Sequence, residues 1–590
     1  MTSQLANVSA QLIPDDLASL GLTPKSWTWN PGQRELAERI AQSSKKIIML
    51  EAECGSGKSI IPTAAATALD KTAIVLTQTL SLQEQYLRDI RGLTLMSGRA
   101  HSECNLTFQS AADAPCTVGA KCTLKGHWTK TGQPLGIPTC NYFKRKAAAA
   151  TAPISIQNYA YWLRETDGEQ ISAFGKRDWI ICDEGHELDQ ILMNAAIVEL
   201  KSYDFRELGT DLLDQLGDMT MTSLRAWALK AGRAAITRYK TTLDKEANRL
   251  GLPFDGEGEI VLSTELFASK GRTIQGLVRG LQVHQRVKQA IDTLGLLQDD
   301  ALVDWVIAAP DRNNREWTVR PRYGKYGFPR ILNGATEKVI IMSAYLAPEL
   351  LMKNLGLDPN DVDVIVGSKV YNRVRSPILY CPTVRVNYKI TNKQQQFLIA
   401  TMDAILAKNS STKGLIHVPS VRMRDDILAY TKFRNRIIAY DGGNVANPRY
   451  PTKDVAIAEF TSSPEPKILL GQSISTGLDL PDVPQWQIIM KLAFPSTADP
   501  VVASRKEVDP FFYDYHTICQ IVQTTGRVKR SQAHNGQTII LDESFAFFWA
   551  RNRKYFPRWF TDNFKYDGWA YLPDVKKLLP RIASSVGIVY

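Results

Sequence analysis

Apolar residues in this chain gather in short unbroken runs rather than in alternation with polar ones. Runs at 47–50 (IIML), 179–182 (WIIC), 414–416 (GLI), 468–470 (ILL) and 539–541 (IIL) are bounded by loop residues or helical stretches. Such runs predict strands buried on both faces of a parallel sheet, and their alternation with helices predicts an α/β fold. Residues 199–329 differ, carrying helical patterns and few strand signals. From about 370 to 590 the strand–helix rhythm returns as a second array.

Composition narrows the class. With 590 residues there is room for about four domains of ordinary size. Hydrophobic residues at 44% and charged residues at 22% are those of a globular protein. No apolar run approaches the ~18–20 residues that a membrane span needs. The first residues lack the basic and apolar regions of a secretory signal, so a cytoplasmic setting is expected. A net charge of +11 points weakly to a polyanionic partner, or to solubility alone.

The first run ends in a glycine-containing loop, AECGSGKS at 52–59, that opens a helical stretch. Gly55 and Gly57 let backbone N–H groups approach phosphate oxygens, with Glu53, Cys54 and Ser56 completing the loop. Lys58 would then reach β- and γ-phosphates and Ser59 would hold Mg²⁺, which predicts ATP binding. The run at 179–182 delivers Asp183 and Glu184 to a strand end, where open α/β sheets bind ligands. Asp183 suits Mg²⁺, and Glu184 suits orienting and deprotonating a water. Late in the chain, QTTGRVKR at 523–530 places Arg527 and Arg530 three apart, on one face if helical. Two guanidinium groups so placed suit a phosphate chain across a cleft; a solvated basic helix end is the bland alternative.

Four of the eight cysteines, Cys104, Cys116, Cys122 and Cys140, fall within one stretch with spacing C-x11-C-x5-C-x17-C. Cys54, Cys182, Cys381 and Cys519 are scattered and read as small core residues.

These segments together resemble the XPD/DinG family of superfamily 2 DNA helicases, in family order. NPGQ at 30–33 resembles the Q motif, LTQTLSLQEQ at 76–85 motif Ia, DEGH at 183–186 motif II and MSAYLAPEL at 342–350 motif III. HVPSVRM at 417–423 resembles motif IV, GQSISTGLDLPD at 471–482 motif V, KLAFPSTADP at 491–500 the family's "lPFp…dP" segment and QTTGRVKR motif VI. The resemblance implies adenine reading by Gln33 and nucleotide contacts from Asp479 and Gln523. It also implies that the clustered cysteines hold a [4Fe–4S] cluster, with SGRAHSEC and CNYF matching the flanks of the first and last ligands. The spacing itself lacks the close pairs of structural zinc sites and suits thiolates drawn from separate loops; zinc or a bare reduced quartet are the alternatives. The chain departs from the family at Asn30, Gln78, Tyr345 and Ser475–Gly477, positions that bear on DNA contact and coupling rather than on phosphate chemistry.

The implied architecture is two RecA-like motor domains, with an iron–sulfur and a helical arch insertion in the first. The first motor is expected over 1–95, 150–198 and 330–350, the iron–sulfur insertion over 96–149, the arch over 199–329 and the second motor over 351–590. The implied activity is ATP-dependent, 5′→3′ translocation on single-stranded DNA with unwinding; a DNA-binding accessory ATPase acting as a clamp is the alternative. Forked or R-loop DNA, a monomeric motor, a possible loading partner and a nucleoid-associated location complete the expectation. Candidate DNA contacts are RPRYGKYGFPR at 320–330, FFWARNRKYFPRWF at 547–560 and the basic run 221–247. Around the cysteines they are Lys121, Lys125, Lys144, Arg145 and Lys146 with Trp128 and Tyr142.

Overall fold

The unbroken apolar runs become the central strands of two parallel sheets. The computed structural model describes residues 12–589 apart from 24–26, 54, 106–107, 119–121, 127, 130–133, 167–173, 255–259, 262–265, 267–268, 271–273, 311–315, 368–375, 441–451, 473–479, 481–483 and 529–534. In chain order the first sheet starts with β1 (Ile47–Glu51), β2 (Ala73–Thr77), β3 (Thr94–Met96), β4 (Ile154–Asn158) and β5 (Arg177–Cys182). The chain then leaves the sheet through β6 (Val198–Leu200), a helical region, β7 (Trp305–Ala308) and β8 (Trp317–Pro321). It returns through β9 (Ala335–Ser343) and β10 (Val362–Val366).

The first sheet has the order β10-β1-β9-β5-β2-β4-β3, with every neighbouring pair parallel. Ile48, Met49, Leu50, Ile180, Ile181, Ile340 and Ile341 are fully buried in its centre. Each such side chain contributes about 1.5–3 kcal/mol by leaving water. Helices on both faces cover these strands, which is why no alternation marks them in the sequence.

Two expectations need correction here. The first motor does not end at 350: β10 pairs in parallel with β1, Ile47 opposite Val362. The strand escaped notice because it is an edge strand with Asp363 inside it and Val366 half exposed, so its pattern is broken. The arch region also contains an antiparallel sheet, β6-β8-β7, in which Val198 faces Val319. Strands of three to five residues carry too little pattern to be read, yet they bring the two ends of the insertion side by side. Between them lie the helices Arg233–Arg249 and Gln275–Leu296, packed on each other around Val283, Val287 and Ile291.

The second sheet comprises β11 (Ile378–Val384), β12 (Gly414–His417), β13 (Ile437–Ala439), β14 (Ile468–Gly471), β15 (Trp486–Ile489), β16 (Gln537–Asp542) and β17 (Phe564–Lys565). Its order is β13-β14-β12-β15-β16-β11-β17, again all parallel. Two parallel α/β sheets with a mixed insertion therefore make up the described chain. No helix among the described residues is long and apolar enough to cross a membrane.

A buried ion pair joins the two halves. Asp189 follows the DEGH turn in the helix Leu188–Ala195, and Arg505 lies in the helix Pro500–Val508; their N···O separation is 2.7 Å. The Arg505 side chain is fully buried, with its guanidinium carbon 3.6 Å from the Phe512 ring centroid. The other oxygen of Asp189 accepts the backbone N–H of Gly324, where the chain re-enters from the arch. Removing Asp189 would leave a cation with no counter-charge in an apolar seat. Asp189→Ala should therefore cost about 3–5 kcal/mol, read as a lowered unfolding midpoint, and the double variant with Arg505→Met should recover most of it.

Candidate nucleotide site

Because all strands of the first sheet run the same way, the segments after β1, β5 and β9 emerge at one edge. β9 lies between β1 and β5, with Glu51 level with Ser343 and Cys182 level with Ile341. The glycine loop, the DEGH turn and the MSAYL segment are therefore neighbours, although nearly 300 residues separate the first from the last.

The loop has the shape its glycines require. Gly55 and Gly57 take φ of 75° and 72°, in the left-handed region. A Cβ on Gly57 would stand 2.5 Å from Nε2 of Gln33. That amide donates to the carbonyls of Ser56 at 2.7 Å and Gly57 at 3.1 Å, while its oxygen accepts the N–H of Asn30 at 2.7 Å. Gln33, expected to read a base, here braces the loop with both ends of its amide. Glu53 and Ser56 are buried in the same loop. Glu51, held by the N–H of Leu346 at 2.6 Å, has its carboxyl pushed up by burial.

Lys58 reaches toward the DEGH turn, its Nζ 3.9 Å from Oε1 of Glu184. Glu184 sits at φ 50°, ψ 44°, a left-handed conformation of the kind that clusters at functional sites. Burial pushes the Glu184 carboxyl up, but Lys58, His186 and Arg527 outweigh it and hold the group ionised. Asp183 is shifted the other way: burial raises it more than Lys58 lowers it. The adjacent carboxylates thus occupy different electrostatic environments. Oδ2 of Asp183 accepts the Tyr86 hydroxyl at 2.9 Å, and its backbone carbonyl accepts the Tyr159 hydroxyl at 2.8 Å. Tyr86 also hydrogen-bonds Ser59.

The second half contributes from across the cleft. Gln523, near the end of the helix Pro510–Thr525, places Nε2 3.4 Å from Oε2 of Glu184 and 3.3 Å from both Nδ1 of His186 and Oγ of Ser343. Nδ1 of His186 lies 2.9 Å from that same Oγ. Arg527, in the turn that follows, is close enough to help hold Glu184 ionised. Tyr345, a departure from the family pattern, is buried with its ring 5.9 Å from that of Tyr515, whose hydroxyl donates to the Leu346 carbonyl at 2.9 Å. The larger residue fills the contact between the halves. Cys54, Asp479 and Arg530 lie outside the described residues.

The four clustered cysteines line one cavity of about 20 Å³ with Tyr142 and Phe143. Arg99 donates to Sγ of Cys116 at 3.2 Å and lies over the Tyr142 ring at 4.5 Å. The Cys122 thiol is pushed up, chiefly by burial, with the neighbouring Cys116 and Cys140 adding to it and the N–H groups of Leu124 and Lys125 pulling it back. Cys140 stands at the N-cap position of the helix Asn141–Thr151, without a side-chain capping hydrogen bond. Convergent thiols, N–H donors and an apolar lining fit a thiolate-bound cluster. Among the described residues no three potential ligands stand close enough to hold a metal ion as they are, so the fit lies in the donor set rather than in chelating distances.

Comparison with known proteins agrees with this geometry. Residues 26–206 match the family described as type III restriction enzyme, res subunit, and residues 404–563 match the helicase C-terminal domain. The chain is 21% identical over 475 residues to the ATP-dependent DNA helicase DinG of Salmonella typhimurium, spanning 68% of this chain and 66% of that one, just under two thirds of the relative's length. A solved XPD helicase structure superposes with a TM-score of 0.56 at 14% identity, over 88% of this chain and 97% of the other. The XPD protein of S. tokodaii gives 0.50 at 14% identity, over 90% and 99%. Sequence and fold comparisons thus both support the resemblance to XPD/DinG-like superfamily 2 helicases.

Several of the expected DNA contacts have partners within the chain. Arg320 pairs with Asp499 at 2.8 Å, Lys325 with Asp304 at 2.6 Å, and Arg322 donates to the Val303 carbonyl at 2.6 Å. Phe548, Phe556 and Phe560 are buried in a core cluster and the half-exposed Arg551 pairs with Asp514, while Phe547, Arg553, Lys554 and Arg558 are exposed. Tyr142 is buried, and Lys146 is tied to Glu165 at 2.6 Å with burial pushing its ammonium down. Alternating basic and aromatic residues read alike whether rings face nucleotides or a core. Lys125, Lys144, Lys230, Arg233 and Arg238 remain exposed; Lys121 lies outside the described residues.

Sequence reasoning missed Tyr86 and assigned nothing to Ser343 or His186. Ser343 and His186 lay within quoted motifs, and Tyr86 had no signal beyond its place after LQEQ. Gly185 was missed as well: a Cβ there would lie 2.4 Å from Cγ2 of Ile341. Gly185→Ala should therefore force β9 and the DEGH turn apart and cost about 1–3 kcal/mol, measured as a lowered unfolding midpoint.

Proposed function

We propose that the chain is an ATP-dependent DNA helicase, a hydrolase that moves 5′→3′ on single-stranded DNA and couples ATP turnover to strand separation. The observation that carries this reading is the position of Gln523: a side chain of the second sheet lies among Glu184, His186 and Ser343 of the first. A site built jointly by two halves lets the ligand's state be felt by both, as a motor cycle requires.

In this reading Gln33 orders the loop and reads adenine, and the loop backbone over 53–57 cradles the phosphates. Lys58 neutralises phosphate charge as it builds up; in the structure it faces Glu184 (3.9 Å). Ser59 and Asp183 would hold Mg²⁺, which would supply positive charge against the phosphate oxygens. Glu184, kept ionised by Lys58, His186 and Arg527, accepts the proton of the attacking water. Arg527 and Arg530 stabilise the transferred phosphoryl group from the second motor, with Gln523 and Asp479 relaying its state. Exposed Lys125, Lys144, Lys230, Arg233 and Arg238 supply phosphate contacts to forked or R-loop DNA. Working as a monomer, alone or with a loading partner, it would act in the cytoplasm on the nucleoid.

Cys104, Cys116, Cys122 and Cys140 would hold a [4Fe–4S] cluster, which would supply cross-links between the loops of an insertion near the size limit at which a core alone suffices. The cluster chemistry predicts about four irons per chain in protein purified without oxygen. Cys104→Ser or Cys140→Ser should abolish the iron content, measured by elemental analysis, and strand separation with it; stoichiometric zinc without iron would replace the cluster assignment.

The function itself is tested by strand displacement on forks with a single 5′ or 3′ tail. Displacement is expected only with the 5′ tail and ATP. Lys58→Ala should lose DNA-stimulated ATP hydrolysis by about 10²-fold or more while still binding single strands, since it removes transition-state charge stabilisation rather than fold. Hydrolysis near wild type in that variant would remove the motor assignment.

A further inference from the structure

Ser59 and Asp183, the two side chains assigned to Mg²⁺, share a neighbour that belongs to neither of their motifs. Tyr86 lies in the helix Leu80–Asp89 on the first sheet, and its ring is packed with Ile60, Ile61, Val75 and Ile181 in the core beneath the loop. Only 1% of the residue is exposed. From that seat its hydroxyl donates to Oδ2 of Asp183 at 2.9 Å and hydrogen-bonds the Ser59 side chain. Oδ1 of Asp183 is independently held by the N–H of Glu184 at 2.8 Å. Both carboxylate oxygens therefore have a fixed donor, and one of those donors is itself tied to the loop serine.

We propose that Tyr86 is a positioning residue for the Mg²⁺–nucleotide complex, orienting Ser59 and Asp183 toward one shared cation. A phenol has one proton to give and lone pairs to accept with, so it can take the serine's proton side and present its own to the carboxylate. The serine oxygen is then left with its lone pairs directed away from Tyr86, as a metal ligand requires. Hydrogen-bonded partners behind metal ligands tune affinity by fixing ligand orientation. A ring anchored among apolar side chains holds that geometry before the ligand arrives, so the ordering cost is not met on binding.

This inference rests on the ATP-binding reading above, and Tyr86→Phe tests it while keeping the ring in its core seat. Binding of a fluorescent, non-hydrolysable ATP analogue is measured first in EDTA and then across rising free Mg²⁺, for wild type and variant. Wild type and Tyr86→Phe should bind alike in EDTA. The Mg²⁺ concentration at half-maximal tightening should rise about five- to ten-fold in the variant, the scale of one lost hydrogen bond. Superimposable Mg²⁺ curves would overturn the proposal, as would a lower midpoint, which would mean that the phenol competes with the metal. Weaker binding already in EDTA would make Tyr86 a support of the loop instead and would also overturn it. Failure of the wild type to bind the analogue would remove the ATP-binding reading, and this inference with it.

Discussion

Every strand of the first sheet runs parallel, so β1, β5 and β9 must deliver the residues that follow them to a single edge. With β9 between the other two, Glu51 and Ser343 lie level, and Asp183 follows one strand away. The glycine loop closes against this edge because Gln33 holds its carbonyls, and Gly185 lets the DEGH turn lie directly on Ile341. Remove the parallel order and none of the hydrogen bonds among Ser59, Tyr86, Asp183, His186 and Ser343 survives.

The second half depends on the same edge. Gln523 meets Glu184, His186 and Ser343 only because the helix Pro510–Thr525 ends over it. Asp189 and Arg505 add a buried pair a few residues from the DEGH turn, and Gly324 ties the arch exit to that pair. Arch, first sheet and second sheet therefore converge on one short helix, Leu188–Ala195, that begins where the acidic turn ends. A buried ion pair contributes little net stability over apolar packing, but it tolerates only one arrangement of its partners. Tyr345 against Tyr515 works beside it through shape, filling with an aromatic ring what a smaller residue would leave open.

Electrostatics also distinguish the two carboxylates at the edge. Burial raises Asp183, while three cations around Glu184 overcome burial and keep it charged. Adjacent residues of the same chemical type thus acquire different proton affinities from the side chains that each faces. At the other end of the first sheet, four thiols share one apolar cavity with a single guanidinium donating to Cys116. Burial pushes the Cys122 thiol up there, with Cys116 and Cys140 adding to it.

The sequence alone determined the strand runs, the loop 52–59, the acidic pair and the cysteine quartet. Each is a local pattern: an unbroken apolar run has few other fates, and phosphate or metal chemistry demands particular residues at short spacing. The β10 edge strand and the small arch sheet were not legible, because short or half-exposed strands carry too little periodicity to stand out from loops. The basic–aromatic segments were legible only as composition. Whether Arg320 meets a phosphate or Asp499 depends on a partner far away in the chain, and whether Phe556 meets a base or the Trp549 ring depends on how its segment packs. The same holds for Tyr86, Gly185, Asp189 and Arg505, whose roles come from neighbours between about 100 and 320 residues distant. Tertiary structure alone decided these, since a side chain's hydrogen-bond and charge partners are set by the sheet order that brings them together.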